Sequence, residues 1–282
     1  MSYVGALGGE YAGSGAANKD PEYGLGLTVP AAGVTHIANL DAASPGVKAW
    51  QVDYSAATGV AARVQLVCPV GLSNGALFSG VWKISRPGGS ANYTNAGTVT
   101  YTATDITDTG QSAWGSAWFA TQKIMTSDGK SAYTKLSAAN KLLVFQDVAL
   151  TTAGWNGGTP GAAATYHIVP AEDVYLYRWD QGTFEEGSLR LSSNSSGLCL
   201  RAYMSIGAAN PGTLTQEGAD IAVTEGAVIF LGVFAHEVNG EIDVWAQTDT
   251  VNIGATVISV TGLGTPHNAN TPYIAHNATK GR

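Results

Sequence analysis

From about residue 47 onward, short runs rich in Val, Ile, Thr, Tyr, Phe and Trp are interrupted every eight to twelve residues or so by clusters of Gly, Asn, Asp and Pro. Runs punctuated at that spacing read as the paired strands of a sandwich. The predicted class is all-β: antiparallel β-sandwich and jelly-roll domains with an extended N-terminal arm.

Candidate strands in the first half are 47–54, 60–69, 77–84, 97–104, 114–125 and 142–150. Ser127-Asp128-Gly129-Lys130 carries the Asp-Gly signal of a tight hairpin, and Pro87-Gly88-Gly89 and Asn156-Gly157-Gly158 mark loops. The single helical candidate is Ala132 to Phe145. A second block holds candidate strands at 165–169, 173–179, 187–192, 197–206, 219–224, 227–236, 241–248 and 251–260, the strand count of a jelly roll. Asn194-Ser195-Ser196-Gly197, Asn210-Pro211-Gly212, Glu225-Gly226 and Asn239-Gly240 fall in the gaps as turns. Within Glu241–Thr248, Ile242, Val244 and Ala246 alternate with Glu241, Asp243 and Gln247, and Trp245 breaks the pattern by lying on the wet face. Ala227–Ala235 is apolar at odd and even positions alike, which requires cover on both sides of that strand.

Residues 1–45 show neither a period of 2 nor one of 3.6 and read as an extended arm. Tyr3, Tyr11, Tyr23, Leu25 and Leu27 give this arm apolar anchors, and they are candidate intersubunit contacts. The expected organisation is an arm (1–45), a first sandwich (46–160), a jelly-roll-like sandwich (161–265) and an Asn-rich tail (266–282), although the two halves could equally form one continuous stack.

Only 12% of the residues are charged, against about 25% in an average soluble protein, and 36 are Gly. A surface of hydroxyls and amides suits proteins packed against identical neighbours, because it avoids the desolvation penalty of buried ion pairs. A secreted bacterial β-protein would have a similar composition. The net charge of −7, without any basic run, argues against a nucleic-acid partner. Met1–Glu10 lacks the basic and continuous apolar regions of a secretory signal, and no apolar stretch approaches the roughly 18 residues of a membrane helix. A soluble protein maturing in a reducing cytosol is expected, with Cys68 and Cys199 as free, buried thiols and the sequons at Asn92, Asn194 and Asn277 without meaning.

Catalytic patterns are poorly supported. Gly71-Leu72-Ser73-Asn74-Gly75 matches the nucleophile-elbow pattern, but a strand and not a helix is expected after Ser73. The five histidines form no pair that could present two imidazoles to one metal, and His236-Glu237 reads as a solvent-facing polar pair. Glu172-Asp173 and Glu185-Glu186 are adjacent, so on a strand they point to opposite faces; loop solvation is the expectation for both. Asp105–Asp108 lacks calcium-loop spacing. No catalytic residue, cofactor or metal is assigned. Among seven tryptophans, Trp114, Trp118 and Trp155 are the candidate surface-recognition aromatics. Trp114 and Trp118 would share a strand face as a core or interface pair or a sugar platform, and Trp155 is expected on an exposed loop.

The anchor-bearing arm, followed by Gly/Thr/Asn-rich sandwich material with few charges, resembles phage capsid cement and tail-associated proteins. The strand rhythm from Ala219 to Thr261 also resembles the trimeric jelly rolls of tumour-necrosis-factor-like proteins and viral spike heads. The resemblance implies a non-enzymatic virion protein made in the host cytoplasm. It would be a trimer on the capsid exterior whose arms strap the major capsid protein, with no nucleic-acid or membrane partner. The alternative is a carbohydrate-binding tail fibre or spike module; a secreted hydrolase is a third possibility.

Overall fold

The computed structural model describes residues 76–83, 98–110, 122–169, 173–181, 184–206, 213–224, 226–236, 240–248 and 252–263, with the backbone of eight further short strands. Along the chain the strands are β1 Ser2–Tyr3, β2 Asn18–Lys19, β3 Gly26–Thr28, β4 Val34–Ile37, β5 Ala49–Val52, β6 Val64–Leu66, β7 Ala76–Lys83, β8 Asn92–Tyr93, β9 Val99–Tyr101, β10 Asp105–Asp108 and β11 Gln122–Thr126. They continue as β12 Ser131–Ala138, β13 Lys141–Phe145, β14 Tyr166–Val169, β15 Val174–Gln181, β16 Phe184–Asn194, β17 Gly197–Ile206, β18 Thr213–Ala222, β19 Val228–His236, β20 Glu241–Gln247, β21 Ile258–Val260 and β22 Thr271–Ile274. The described residues are all-β, as the punctuation predicts.

Three large sheets result. One has the order β1-β7-β19-β20-β21, one β8-β14-β11-β12-β13-β10-β9, and one β18-β17-β16-β15-β22-β6-β3-β2; β4 and β5 pair separately. Among the described pairs only β1 with β7 is parallel. Four ladders cross position 160: β7 pairs with β19 along its whole length, β6 pairs with β22, and β14 pairs with both β11 and β8. The two sequence blocks are therefore joined by shared sheets.

Consecutive strands stay in one sheet. Two-residue connections link β15 to β16 and β16 to β17, closing at Gln181 opposite Phe184 and Asn194 opposite Gly197. Such tight turns return the chain beside itself, and the strand orders make β15–β18 and β19–β21 meanders. The eight strands of the second block are thus shared among three sheets and lack the alternation between two sheets that a jelly roll requires.

The predicted helix over Ala132 to Phe145 is instead the hairpin β12–β13. Ala132, Thr134, Leu142 and Val144 are buried at every second position, and that alternation with β-branched neighbours overrides the weak helical period. Asp128-Gly129 turns β11 into β12 as expected, with Gly129 at φ 80°. The short strand β10 was not expected; it pairs with β9 and β13.

The first core lies between the inner faces of β15–β18 and β19–β21, and includes Leu176, Trp179, Leu189, Leu200, Leu231, Val233 and Val244. Tyr177, fully buried, ties the layers: its hydroxyl accepts from Trp82 Nε1 at 2.9 Å and donates to the Leu231 carbonyl at 3.5 Å. The second core is lined by the seven-stranded sheet, which curls into a half-barrel around Ile106, Ile124, Leu142, Val144 and Tyr166. Inside it, the Tyr166 hydroxyl donates to buried Asp108 at 2.6 Å.

Trp155 closes this half-barrel. It is 4% exposed, stands edge-on to Tyr101 and donates its indole N–H to the Thr102 carbonyl at 2.8 Å. The expectation of an exposed loop aromatic is therefore corrected: the flanking glycines, with Gly154, Gly157 and Gly158 at positive φ, fold the loop inward and leave the indole as a plug.

Candidate interaction surface

Alternation along β19 sends Ile229, Leu231, Val233 and Ala235 into the first core and Val228, Phe230, Gly232, Phe234 and His236 to the outer face. The register places Val81 and Gln247 beside Phe230, Ser79 and Trp245 beside Gly232, and Leu77 and Asp243 beside Phe234. Lys83 lies beside Val228 at one end, and Glu241 lies beside His236 at the other. On β21 Ile258 is buried and Ser259, paired with Asp243, turns outward; Val257, just before the strand, is exposed.

Gly232 sits at the centre of this face. A Cβ there would meet both the Phe230 ring and the Trp245 indole at 3.3 Å, so the two aromatics occupy the space above the glycine. The described residues contain four exposed large apolar side chains: Val81 (42%), Val257 (48%), Ile253 (63%) and Val148. Val81 belongs to this face, Val257 lies just before β21, and Ile253 lies in the loop that Gln247 pins to its rim through Asn252 and Gly254. Concentration of exposed apolar side chains on one sheet face, instead of their usual scatter, marks a contact surface.

Comparison with family models, curated proteins and solved structures finds no match to this chain. The reading of the surface therefore rests on its own geometry.

The outer face of β15–β18 is different in kind. Arg190 lies between the rings of Tyr175 and Tyr203, with its guanidinium carbon 4.7 and 4.2 Å from their centroids. It donates to Ser188 at 3.0 Å and to Glu185 at 2.7 Å, and Asp173 is 3.6 Å away. Arg201 makes a fork to Asp220 at 2.8 and 2.9 Å and donates to Ser192 at 2.8 Å. Glu185 also accepts from Tyr175 at 2.9 Å and from Ser188 at 2.5 Å. These groups are committed to one another as a cross-strand brace.

Electrostatics agree with the geometry. The Arg201 fork holds the Asp220 carboxyl well below the usual carboxylate range, with Asn194 and Gln216 adding hydrogen bonds. Burial, then Glu185, pushes the Tyr175 phenol up to about 12. Burial and the neighbouring Asp220 push the Cys199 thiol up to about 12; it is a free, buried thiol, as expected, and far from a reactive thiolate. Cys68 lies outside the described residues.

Of the other predicted site residues, Tyr3 lies in β1 beside Leu77 at the edge of the five-stranded sheet, and Leu27 lies in β3 beside Asn18 and Leu66. Tyr11, Tyr23, Leu25, Trp114, Trp118 and Ser73 lie outside the described residues. Residues 76–83 after Ser73 form the expected strand. Glu185 and Glu186 do point to opposite faces, but they are not solvated loop residues: Glu185 joins the brace, and Glu186 is buried in β16. Among the described residues, no group of three His, Cys, Asp or Glu side chains could hold a metal ion.

Phe230, Phe234, Val81 and Val257 were not singled out from the sequence. The signals for the surface were nevertheless present, in the two-sided apolar run at Ala227–Ala235 and in Trp245 on the wet face.

Proposed function

We propose that this chain is a structural subunit of a bacteriophage particle, a capsid decoration or cement protein whose role is binding and not catalysis. The observation that carries the reading is the apolar outer face of the sheet that holds β7, β19 and β20, where exposed Val81 and Val257 accompany the half-buried Phe230, Phe234 and Trp245. Such a protein stabilises a shell by contacts that only the assembled shell offers, and the low charge content keeps the desolvation cost of those contacts small. The major capsid protein is the partner and the particle exterior the location. Mixing the full chain with purified phage shells tests this: it should co-sediment with assembled shells and raise their melting temperature. Shells that neither retain nor are stabilised by the protein would sink the reading.

A second reading, a carbohydrate-binding tail fibre or spike module, draws on the half-buried Trp245 indole and Phe230 ring that both border Gly232, aromatic groups on which a sugar ring could stack. A glycan array separates the two: sugar-specific binding lost in Trp245→Ala would favour the fibre.

A further inference from the structure

We propose that Asn156-Gly157 is a self-modification site gated by the Trp155 loop: the pair loses its side-chain amide only when the loop opens, and the product then keeps the indole from reseating. The pair has the chemistry for it. Glycine leaves the Gly157 nitrogen unhindered, because no Cβ stands between it and the Asn156 carboxamide. That nitrogen attacks the side-chain Cγ, a five-membered imide forms, and the Cγ–Nδ2 bond breaks as ammonia leaves with the Gly157 proton. Water then opens the ring at either carbonyl. One opening leaves aspartate at 156; the other leaves isoaspartate, whose main chain runs on through the side-chain methylene. Both residues are exposed, so water is at hand.

The closed loop blocks the first step, because three groups of Asn156 are already bonded. Its N–H donates to the Ser131 carbonyl at 2.8 Å, its carbonyl accepts from the Ser131 N–H at 3.3 Å, and Nδ2 donates to the Gln146 carbonyl at 3.0 Å. The antiparallel bridge to Ser131 fixes the peptide plane between 156 and 157, and the Gln146 bond fixes the carboxamide. The Lys130 stem also lies against Gly157, where a Cβ would meet its Cδ at 3.2 Å. Attack needs the nitrogen and Cγ in near-attack geometry, which the pair reaches only by turning that peptide out of the bridge. The bridge and the Gln146 bond must therefore break together.

Trp155 couples this step to the second core. It immediately precedes Asn156, its indole bonds to Thr102 inside the half-barrel, and its carbonyl accepts from Gln146 Nε2 at 3.4 Å. Turning residue 156 out of its bridge thus pulls on the plug. Neither product recloses well. Aspartate sets a carboxylate oxygen against the Gln146 carbonyl, where an N–H donated before. Isoaspartate lengthens the main chain between Trp155 and Gly157, so the bridge and the indole cannot both seat. The reaction is a one-way mark left on a chain whose half-barrel has opened.

The test is peptide-resolved mass spectrometry of the full chain aged at mildly alkaline pH, both folded and in urea. Opening must precede the chemistry, so the folded rate is the urea rate scaled by the open fraction, and amide loss at Asn156 should be at least about tenfold slower in the folded chain. Asp147→Ala removes the carboxylate that accepts from the Thr151 and Thr152 N–H groups at 3.1 and 2.7 Å. It should speed the folded rate at least about threefold and leave the urea rate unchanged. Asn156→Asp carries one product from the start, and a broad-specificity protease should cut its 151–158 loop at least about tenfold faster than that of the wild type. Circular dichroism spectra of both variants should match the wild type. Equal rates in the folded and urea-unfolded chain, a folded rate indifferent to Asp147→Ala, or an Asn156→Asp loop as resistant as the wild type's would overturn the proposal.

Discussion

Two carboxyl groups a few residues apart on β18 respond to folding in opposite directions. Asp220 is held below its ordinary value by the Arg201 fork, so its contribution to stability is present above the unfolded value of about 3.9 and is lost as pH falls through the folded value. Glu217 faces the other side of the strand, where burial raises its pKa and Oε1 has no hydrogen-bond partner. Its contribution is fully present below the unfolded value of about 4.3 and is lost as pH rises through the folded value. Asp220→Asn should therefore cost about 1 to 2 kcal/mol at pH 7, a figure held down by the carboxylate's partial exposure, and less toward pH 3. Glu217→Gln should stabilise at pH 7 by about 1 kcal/mol and have no effect near pH 3. Urea titrations at the two pH values check both signs.

At the scale of the element, the glycines in β16 and β19 act through space and not through flexibility. Gly187 lies directly opposite Trp179, and a methyl group there would collide with the indole that fills this part of the first core. Gly187→Ala should cost about 3 kcal/mol in a denaturant titration, because neither the ring nor the paired backbone has room to move. Nothing local distinguishes Gly187 or Gly232 from the turn glycines at Gly129 and Gly226, so their roles could not be read from the chain. The turns were more legible. Asp128-Gly129 and the Asn194–Gly197 connection occur where their chemistry predicts, and the two-residue connection of the second returns β17 directly beside β16. The hairpin of β12 and β13 was mistaken for a helix because fourteen residues without a Gly or Pro offered no break to read.

For the whole molecule, the joining of the two sequence blocks is the main consequence of the tertiary structure. β19 has β7 as one of its two neighbours, and β7 comes from the other side of position 160. A fragment of residues 161–282 therefore loses one flank of β19, together with Trp82 and its bond to Tyr177. It should fail to give a cooperative thermal transition, while the full chain gives one involving both halves; calorimetry of the two proteins measures this. A fragment with a sharp transition of its own would show that the sandwich does not need β7.

The sequence by itself determined the strand class, most strand positions in the second block, the turns between them and the presence of an apolar strand needing two covers. Each of these depends on local chemistry: alternation, β-branching and the residues that tolerate tight turns. Only the tertiary structure decided which strands pair across 160, that Trp155 plugs a half-barrel, that Glu185 belongs to an arginine–tyrosine brace, and that Val81, Phe230 and Trp245 share one face. Those facts depend on residues far apart in the chain meeting through strand register. Register is set by the fit of whole faces and not by any short segment, so no local pattern could carry it.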